Sequence, residues 1–294
     1  MRERINMMTA IKRAVTLLLV SVPSLAGMAQ TQTQAPSKMS LSEAFAELRS
    51  GDPKGIALFH NGNSSLLSDN LPTIEKDTVA ICDALTDKDS FVRLQASGIL
   101  VTIVIAAPQH NSVVQACFPN LIKAASDPVD QTSAQSLKPF PPEKTRTNSL
   151  FVLAMNPAGP PPAAHDVFVS SLQSSNYRTQ ECGAAGLLEE RTNQEGNQKL
   201  VLQTLDSAPD TKHRLNILYA ITGARVRSDN LFEGVQKYLF DPDDDVQIEA
   251  INAVAATGKD HATAASVIQG VVDSPTATKE QKLRARMALG TTPQ

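Results

Sequence analysis

The sequence has no tryptophan, and only 4% of its 294 residues are aromatic. It also lacks a surplus of basic charge: 27 Lys and Arg stand against 30 Asp and Glu, a formal net charge of −3. A nucleic-acid binder neutralises phosphates with basic side chains and stacks bases on aromatic rings, so both shortages argue against that class. Cysteine is scarce as well. Cys82, Cys117 and Cys182 form no CxxC, which removes the usual redox and zinc-knuckle spacings. Charged residues make up 19% of the chain and hydrophobic ones 41%, a balance that excludes a disordered chain, a collagen and a membrane-spanning bundle.

Motifs that carry chemistry are missing too. No GxSxG, P-loop, GxGxxG or HExxH occurs. None of the histidines (His60, His110, His165, His213, His261) is followed by Glu, and no two share a helix face at metal-ligand spacing; they read as surface or capping residues. Cys182 as a nucleophile would need a neighbouring base, and His213 is the one candidate. No catalytic residue, metal ligand or cofactor-binding residue is therefore expected, and no cofactor. All three cysteines sit among apolar residues at helical spacing, the pattern of small buried side chains, with a Cys82–Cys117 bridge left open.

The first segment is set apart from the rest. Arg2, Arg4, Lys12 and Arg13 precede an apolar stretch from Ala14 to Val22, and Gly27-Met28-Ala29 places small residues before a cut after Ala29. This is the layout of a secretory signal peptide over 1–29, too short an apolar run to cross a bilayer comfortably and broken by Pro23. The expected protein is exported, periplasmic or secreted, with no stable membrane span after cleavage. Without residues 1–29, Lys and Arg fall from 27 to 23 and Asp and Glu from 30 to 29, so the net charge moves from −3 to −6. Residues 30–40 are polar and unpatterned, a flexible leader.

From residue 41 onward the chain is repetitive. In Asp241-Pro242-Asp243-Asp244-Asp245-Val246, an acidic turn leads into a helix whose Val246, Ala250, Ala253 and Val254 form one stripe. The aspartates supply capping oxygens and negative charge where a helix N-terminus favours them, which accounts for them better than a calcium loop. Equivalent helices begin near Val92, Thr145, Tyr177, His213 and Gln281, at spacings of 53, 32, 36, 33 and 35 when Val246 is included. Another amphipathic segment precedes each one: 71–85, 112–125, 163–172, 200–205, 231–240 and 262–272. No convincing alternating strand is present. The expected fold is all-α, an α-solenoid over 41–292 of about six stacked antiparallel helix pairs, with Leu41–Leu48 as an extra N-terminal capping helix.

The acidic turn, the Val-Arg pair and the Ala three residues after the Arg (Asp87, Val92, Arg93, Ala96) resemble the HEAT-repeat family, in particular its short bacterial form first associated with phycocyanobilin lyases. The resemblance covers nearly all of 41–290, with departures at Gln247 and Lys282 for Arg and at Thr145 and His213 for Val. It implies that Asp87, Arg93, Arg178, Arg214 and Asp241 form a structural ladder between repeats rather than a site. It also implies a protein-binding scaffold without catalysis, presenting a face built from the second helices. The alternatives are an enzyme, hydrolase or lyase, with a site assembled across that face, or an envelope structural or tethering protein. HEAT-like DNA glycosylases need a cationic groove and aromatic contacts, which this acidic chain lacks.

The long spacing contains an insertion near 127–144, rich in proline, with Phe140 between prolines. Insertions in solenoids map to one face. Phe140, Lys138 and Lys144 are the expected contact residues for a protein partner, on a loop that otherwise reads as a linker.

Overall fold

The computed structural model describes residues 39–51, 53–60, 64–127, 143–224 and 226–290. The expected signal peptide, all but the last two residues of the leader, and the insertion residues Lys138 and Phe140 lie outside them. Among the described residues there are helices and no strand, so the chain is all-α as expected. The chain divides into two compact units between Asp77 and Thr78.

The first unit contains α1 (Leu41–Ser50), α2 (Pro53–His60), α3 (Ser64–Asn70) and a 3-10 segment, Leu71–Asp77. Ser40 and Glu43 close a reciprocal capping box at the start of α1, and Gly51 ends the helix with a φ of 75°. Phe45 of α1 stacks on Phe59 of α2 with ring centroids 5.5 Å apart. Leu41, Leu48, Leu66, Leu67 and Ile74 complete this core. Of these helices, sequence periodicity marks only α1. Both α2 and α3 are too short to show a clear apolar period. The expected helix over 71–85 is broken: Pro72 opens a 3-10 turn, and regular α-helix begins only at Thr78.

The second unit is a series of helix pairs. The first members are α4 (Thr78–Ala84), α6 (Asn111–Ala116) with α7 (Phe118–Ser126), α9 (His165–Ser171), α11 (Gln194–Asp206), α13 (Asp229–Gln236) and α15 (His261–Asp273). The second members are α5 (Ser90–Ala106), α8 (Glu143–Ala154), α10 (Tyr177–Glu189), α12 (Thr211–Ala224), α14 (Asp244–Thr257) and α16 (Lys279–Ala288). The second helices form a row in which each packs on the next, α5 on α8, then α10, α12, α14 and α16.

Their N-caps fix the register. Asp89, Asn176 and Asp243 each accept hydrogen bonds from the second and third backbone amides of the following helix, and Thr278 accepts from the third. The third helical residues are thus Val92, Thr145, Thr179, His213, Val246 and Gln281, every one of them buried. Tyr177 is the first residue of its helix, so the equivalence assigned to it was two residues out. With Thr179 in its place the spacings become 53, 34, 34, 33 and 35.

Small residues set the helix separation. A Cβ on Gly183 would lie 2.9 Å from the Phe168 carbonyl oxygen, and one on Gly186 would lie 2.3 Å from the Phe168 ring. α10 therefore rests directly on α9, with Phe168 fully buried between them. Cys82 of α4 and Cys117, between α6 and α7, are joined by a disulfide, whereas Cys182 is a buried free thiol. Reading Cys82 and Cys117 as buried thiols recognised their burial but not their bond: Pro119 divides the expected single helix 112–125 and leaves Cys117 at the junction facing α4.

Candidate functional site

The row of second helices presents side chains from its fifth and ninth helical positions. The fifth positions hold Thr147, Glu181, Leu215, Ile248 and Leu283, and the ninth hold Phe151, Ala185, Tyr219, Asn252 and Met287. All are partly or fully exposed, Tyr219 at 39% and Met287 at 52%. Residues four apart on a helix are neighbours, so each helix contributes an adjacent pair and the row makes a continuous strip.

Charge concentrates where the strip crosses α10, α12 and α14. Glu181 pairs with Arg178 at 3.0 Å, and Arg178 also lies over the Tyr177 ring. Glu249 is 6% exposed; it accepts hydrogen bonds from Thr222 (2.7 Å) and Asn252 (2.9 Å). Burial pushes the Glu181 carboxyl above the usual carboxylate range; Arg178 pulls it back, and Glu249 adds a further upward push. Tyr219 is also shifted upward, first by burial and then by the carboxylates of Glu249, Asp245 and Glu181.

The expected ladder residues are placed in three different ways. Arg214 of α12 reaches the next repeat and lies 3.4 Å from the Asp241 carboxylate. Arg93 donates within its own turn, to the backbone carbonyl of Asp87, and the Asp87 side chain accepts from the Asp89 amide. Arg178 pairs inside its own helix. Counting from the caps, the fourth helical position of α10 belongs to Gln180, which donates to the Leu172 carbonyl at 2.7 Å much as Arg146 donates to the Ala125 carbonyl at 3.0 Å. Lys144 is half-buried at the start of α8.

A second set of contacts between repeats is not apparent from the sequence. Thr179 meets the Thr147 hydroxyl (3.2 Å), His213 Nε2 the Ser175 carbonyl (3.2 Å), and Gln281 donates to Asp244 (2.6 Å). Each is a third helical residue reaching the preceding repeat, which only the cap-based register reveals. His213 also bonds Asp210 through Nδ1 at 2.8 Å, so both its nitrogens are engaged and neither serves Cys182. Cys182 itself is held far above the ordinary thiol range by burial. His165 is not a bystander either: Nδ1 lies 2.8 Å from Oε2 of the buried Glu190, which also accepts from Asn197 at 2.9 Å.

Two concavities lie among the described residues. A cleft of about 80 Å³ is lined by Asp87, Arg93, Lys123, Thr145 and Arg146, well below the ~300–1,000 Å³ of small-molecule sites. An open depression of about 400 Å³ lies beside Asp206, Tyr238 and the exposed Phe240. Among the described residues no three His, Cys, Asp or Glu side chains are grouped to hold a metal ion. No single described helix is long and apolar enough to cross a membrane.

No protein-family model and no curated protein matches the chain. Solved structures do. The chain is similar to an engineered protein from the Northeast Structural Genomics Consortium, with a TM-score of 0.51 and 18% identity over 85% of this chain and 67% of that one. It is also similar to a designed armadillo repeat protein in complex with the peptide (KR)4, with a TM-score of 0.48 and 16% identity over 73% and 98%. A second engineered protein from the same consortium gives 0.47 and 19% over 73% and 96%. At these identities the likeness is one of fold alone, an arrangement of packed helices.

Proposed function

We propose that this chain is an exported binding scaffold of the short HEAT-like repeat form, that it performs no catalysis, and that the face of its second helices is the surface that engages protein partners. The observation that carries the reading is the strip itself. Phe151, Leu215, Tyr219 and Ile248 put apolar and aromatic surface on the second helices α8, α12 and α14, with carboxylates and amides between them. Such a surface works by extended complementarity, with aromatic anchors and a polar surround. The repeat length near 34 residues and the capped acidic turns support the HEAT-like assignment.

Export is supported by two independent features. One is the signal-like segment over 1–29. The other is the Cys82–Cys117 disulfide, a bond that persists in oxidising compartments and is rare in the cytosol.

The test is site-specific photocrosslinking in the producing cell. A photoreactive side chain at Phe151, Tyr219 or Asn252 should trap the same partner, while one at Gln203 or Gln269 on the first helices should not. Trapping from the first-helix positions alone would move the binding surface elsewhere. Recovery of the mature chain only from the cytosol would remove export.

A further inference from the structure

We infer that the open depression between the end of α11 and the turn after α13 is a binding site for a neutral pyranose sugar, which packs its C–H face on the Phe240 ring and directs its hydroxyls to Asp206 and Lys237. The site lies in the seam between two first helices, apart from the face of the second helices, and does not depend on the reading of that face.

The seam brings the groups together. α11 packs on α13, so Asp206, the last residue of α11, meets the 3-10 turn Lys237–Phe240 that follows α13. That turn grips the Asp206 carboxylate. Its Oδ1 accepts from the Tyr238 hydroxyl at 2.7 Å and lies 2.5 Å from Lys237 Nζ. Tyr238 is 8% exposed, and burial together with Asp206 pushes its hydroxyl above the ordinary range, so it remains a donor. Lys237 Nζ also lies over the Tyr238 ring, 5.5 Å from its centre. Both polar contacts fall on Oδ1, while Oδ2 belongs to a side chain that is 46% exposed. Phe240 ends the turn 58% exposed, and Asp241 and Pro242 complete the lining of the depression, about 400 Å³. A lone exposed phenylalanine is ordinary. This one shares a single concavity with a donor and an acceptor already fixed in place.

Charge selects the class of ligand. The two carboxylates of the depression are each matched, Asp206 by Lys237 and Asp241 by Arg214 at 3.4 Å. An added cation would compete with Lys237 and Arg214, and an added anion with Asp206 and Asp241. A neutral hydroxyl competes with neither, because it both donates and accepts. The ammonium keeps N–H donors beyond the one directed at Asp206, and the carboxylate keeps the lone pairs of Oδ2. Neighbouring hydroxyls of one sugar ring can therefore accept from Lys237 Nζ and donate to Asp206 Oδ2.

The ring supplies the other half of the recognition. An aromatic face carries partial negative charge and attracts C–H bonds. A pyranose with equatorial hydroxyls has a C–H face on each side and its hydroxyls along the edge, which matches an exposed ring flanked by a polar pair. The volume falls within the ~300–1,000 Å³ of small-molecule sites. A purely apolar ligand would cover Asp206 and Lys237 without replacing their water. A proline segment also packs on aromatic rings, but its nitrogens carry no hydrogen to give to Oδ2.

The experiment titrates the full mature chain with cellobiose, whose ring hydroxyls are equatorial, and compares glucuronic acid, glucosamine and tetraproline, all by calorimetry. Cellobiose should bind, with little dependence on salt. Phe240→Ala and Asp206→Asn should each weaken it by about tenfold, and Gln269→Ala on α15 should leave it unchanged. The chain has no tryptophan, so Phe240→Trp places the sole indole in the site. That variant should still bind, and its emission should shift when cellobiose is added, a signal that a merely structural role for Phe240 would not give. Circular dichroism of each variant separates lost binding from lost fold. Cellohexaose binding more tightly than cellobiose would identify the occupant as a polysaccharide chain, and equal binding as a free sugar unit; both support the site. No binding of cellobiose, or equal binding by the parent and Phe240→Ala, would overturn the inference. So would tighter binding of glucuronic acid or glucosamine, which would mean selection by charge, or of tetraproline, which would make the depression a peptide groove.

Discussion

The Arg214 guanidinium on α12 lies 3.4 Å from the Asp241 carboxylate in the turn ahead of α14, and this ion pair joins two repeats. Asp241 is 9% exposed at its side chain, so removing Arg214 strands a largely desolvated charge. Arg214→Ala should cost about 2–3 kcal/mol, somewhat less than breaking a fully buried pair. Asp241→Ala should cost a similar amount, and the double variant less than the sum of the two. A double-mutant cycle by urea unfolding measures the coupling, and strict additivity would show that the pair contributes nothing of its own.

The Cys82–Cys117 bond closes a loop across a sequence separation of 35. On the chain-entropy model, Cys82→Ser with Cys117→Ser should lower stability by about 3–4 kcal/mol. Cys182, buried and unbonded, should react with a thiol reagent only after unfolding. Alkylation and mass spectrometry under non-reducing conditions should find one reactive thiol in the denatured chain; three would mean the bond does not form.

Two glycines should respond to alanine with opposite signs. At Gly186 the new methyl would meet the fully buried Phe168 ring, so Gly186→Ala should destabilise by about 1–3 kcal/mol despite alanine's better helix propensity. At Gly223, near the end of α12, a Cβ would meet nothing within 4 Å, and Gly223→Ala should stabilise by up to ~1 kcal/mol. Thermal melts of the two variants make the comparison; equal shifts would show that α9 and α10 are not in such close contact.

Acid and base should act on different carboxylates. Asp210 is held below its ordinary range, chiefly by the hydrogen bond to the His213 side chain. Its contribution to stability is present above the unfolded-state value and is lost as pH falls through the lowered one. Glu181 is raised, mainly by burial, so its contribution is complete below the ordinary carboxylate value and is lost as pH rises through the raised one. Asp210→Asn should flatten the acid limb of a stability–pH curve, and Glu181→Gln the limb just above the ordinary carboxylate range. A curve unchanged by either substitution would contradict both assignments.

The repeats were legible because period and capping chemistry are local. Asp243 ahead of α14 and Asp89 ahead of α5 are visible as turn signals before aliphatic stripes. The register of α10 was not, because Tyr177 resembles a stripe residue while its cap, Asn176, carries no acidic signature. That slip transferred the ladder role to Arg178 and hid Gln180. The electronegative group around Tyr219 was hidden for a different reason. Glu181 and Glu249 are 68 residues apart, and nothing local says that α12 lies between them. The disulfide depends likewise on how Pro119 divides a helix, which periodicity alone does not reveal.

The third-position contacts bear on how such an array can be altered. Thr179 finds Thr147, His213 finds the Ser175 carbonyl, and Gln281 finds Asp244, so three junctions are closed by three unlike pairs. A chain whose copies were interchangeable could lose or gain one without leaving a mark. Here excision of a unit would bring together halves of different locks, with Gln281 facing no carboxylate or Thr179 no hydroxyl. The order of the modules is thus written into the seams between them, and a shortened version would need new seams as well as fewer modules.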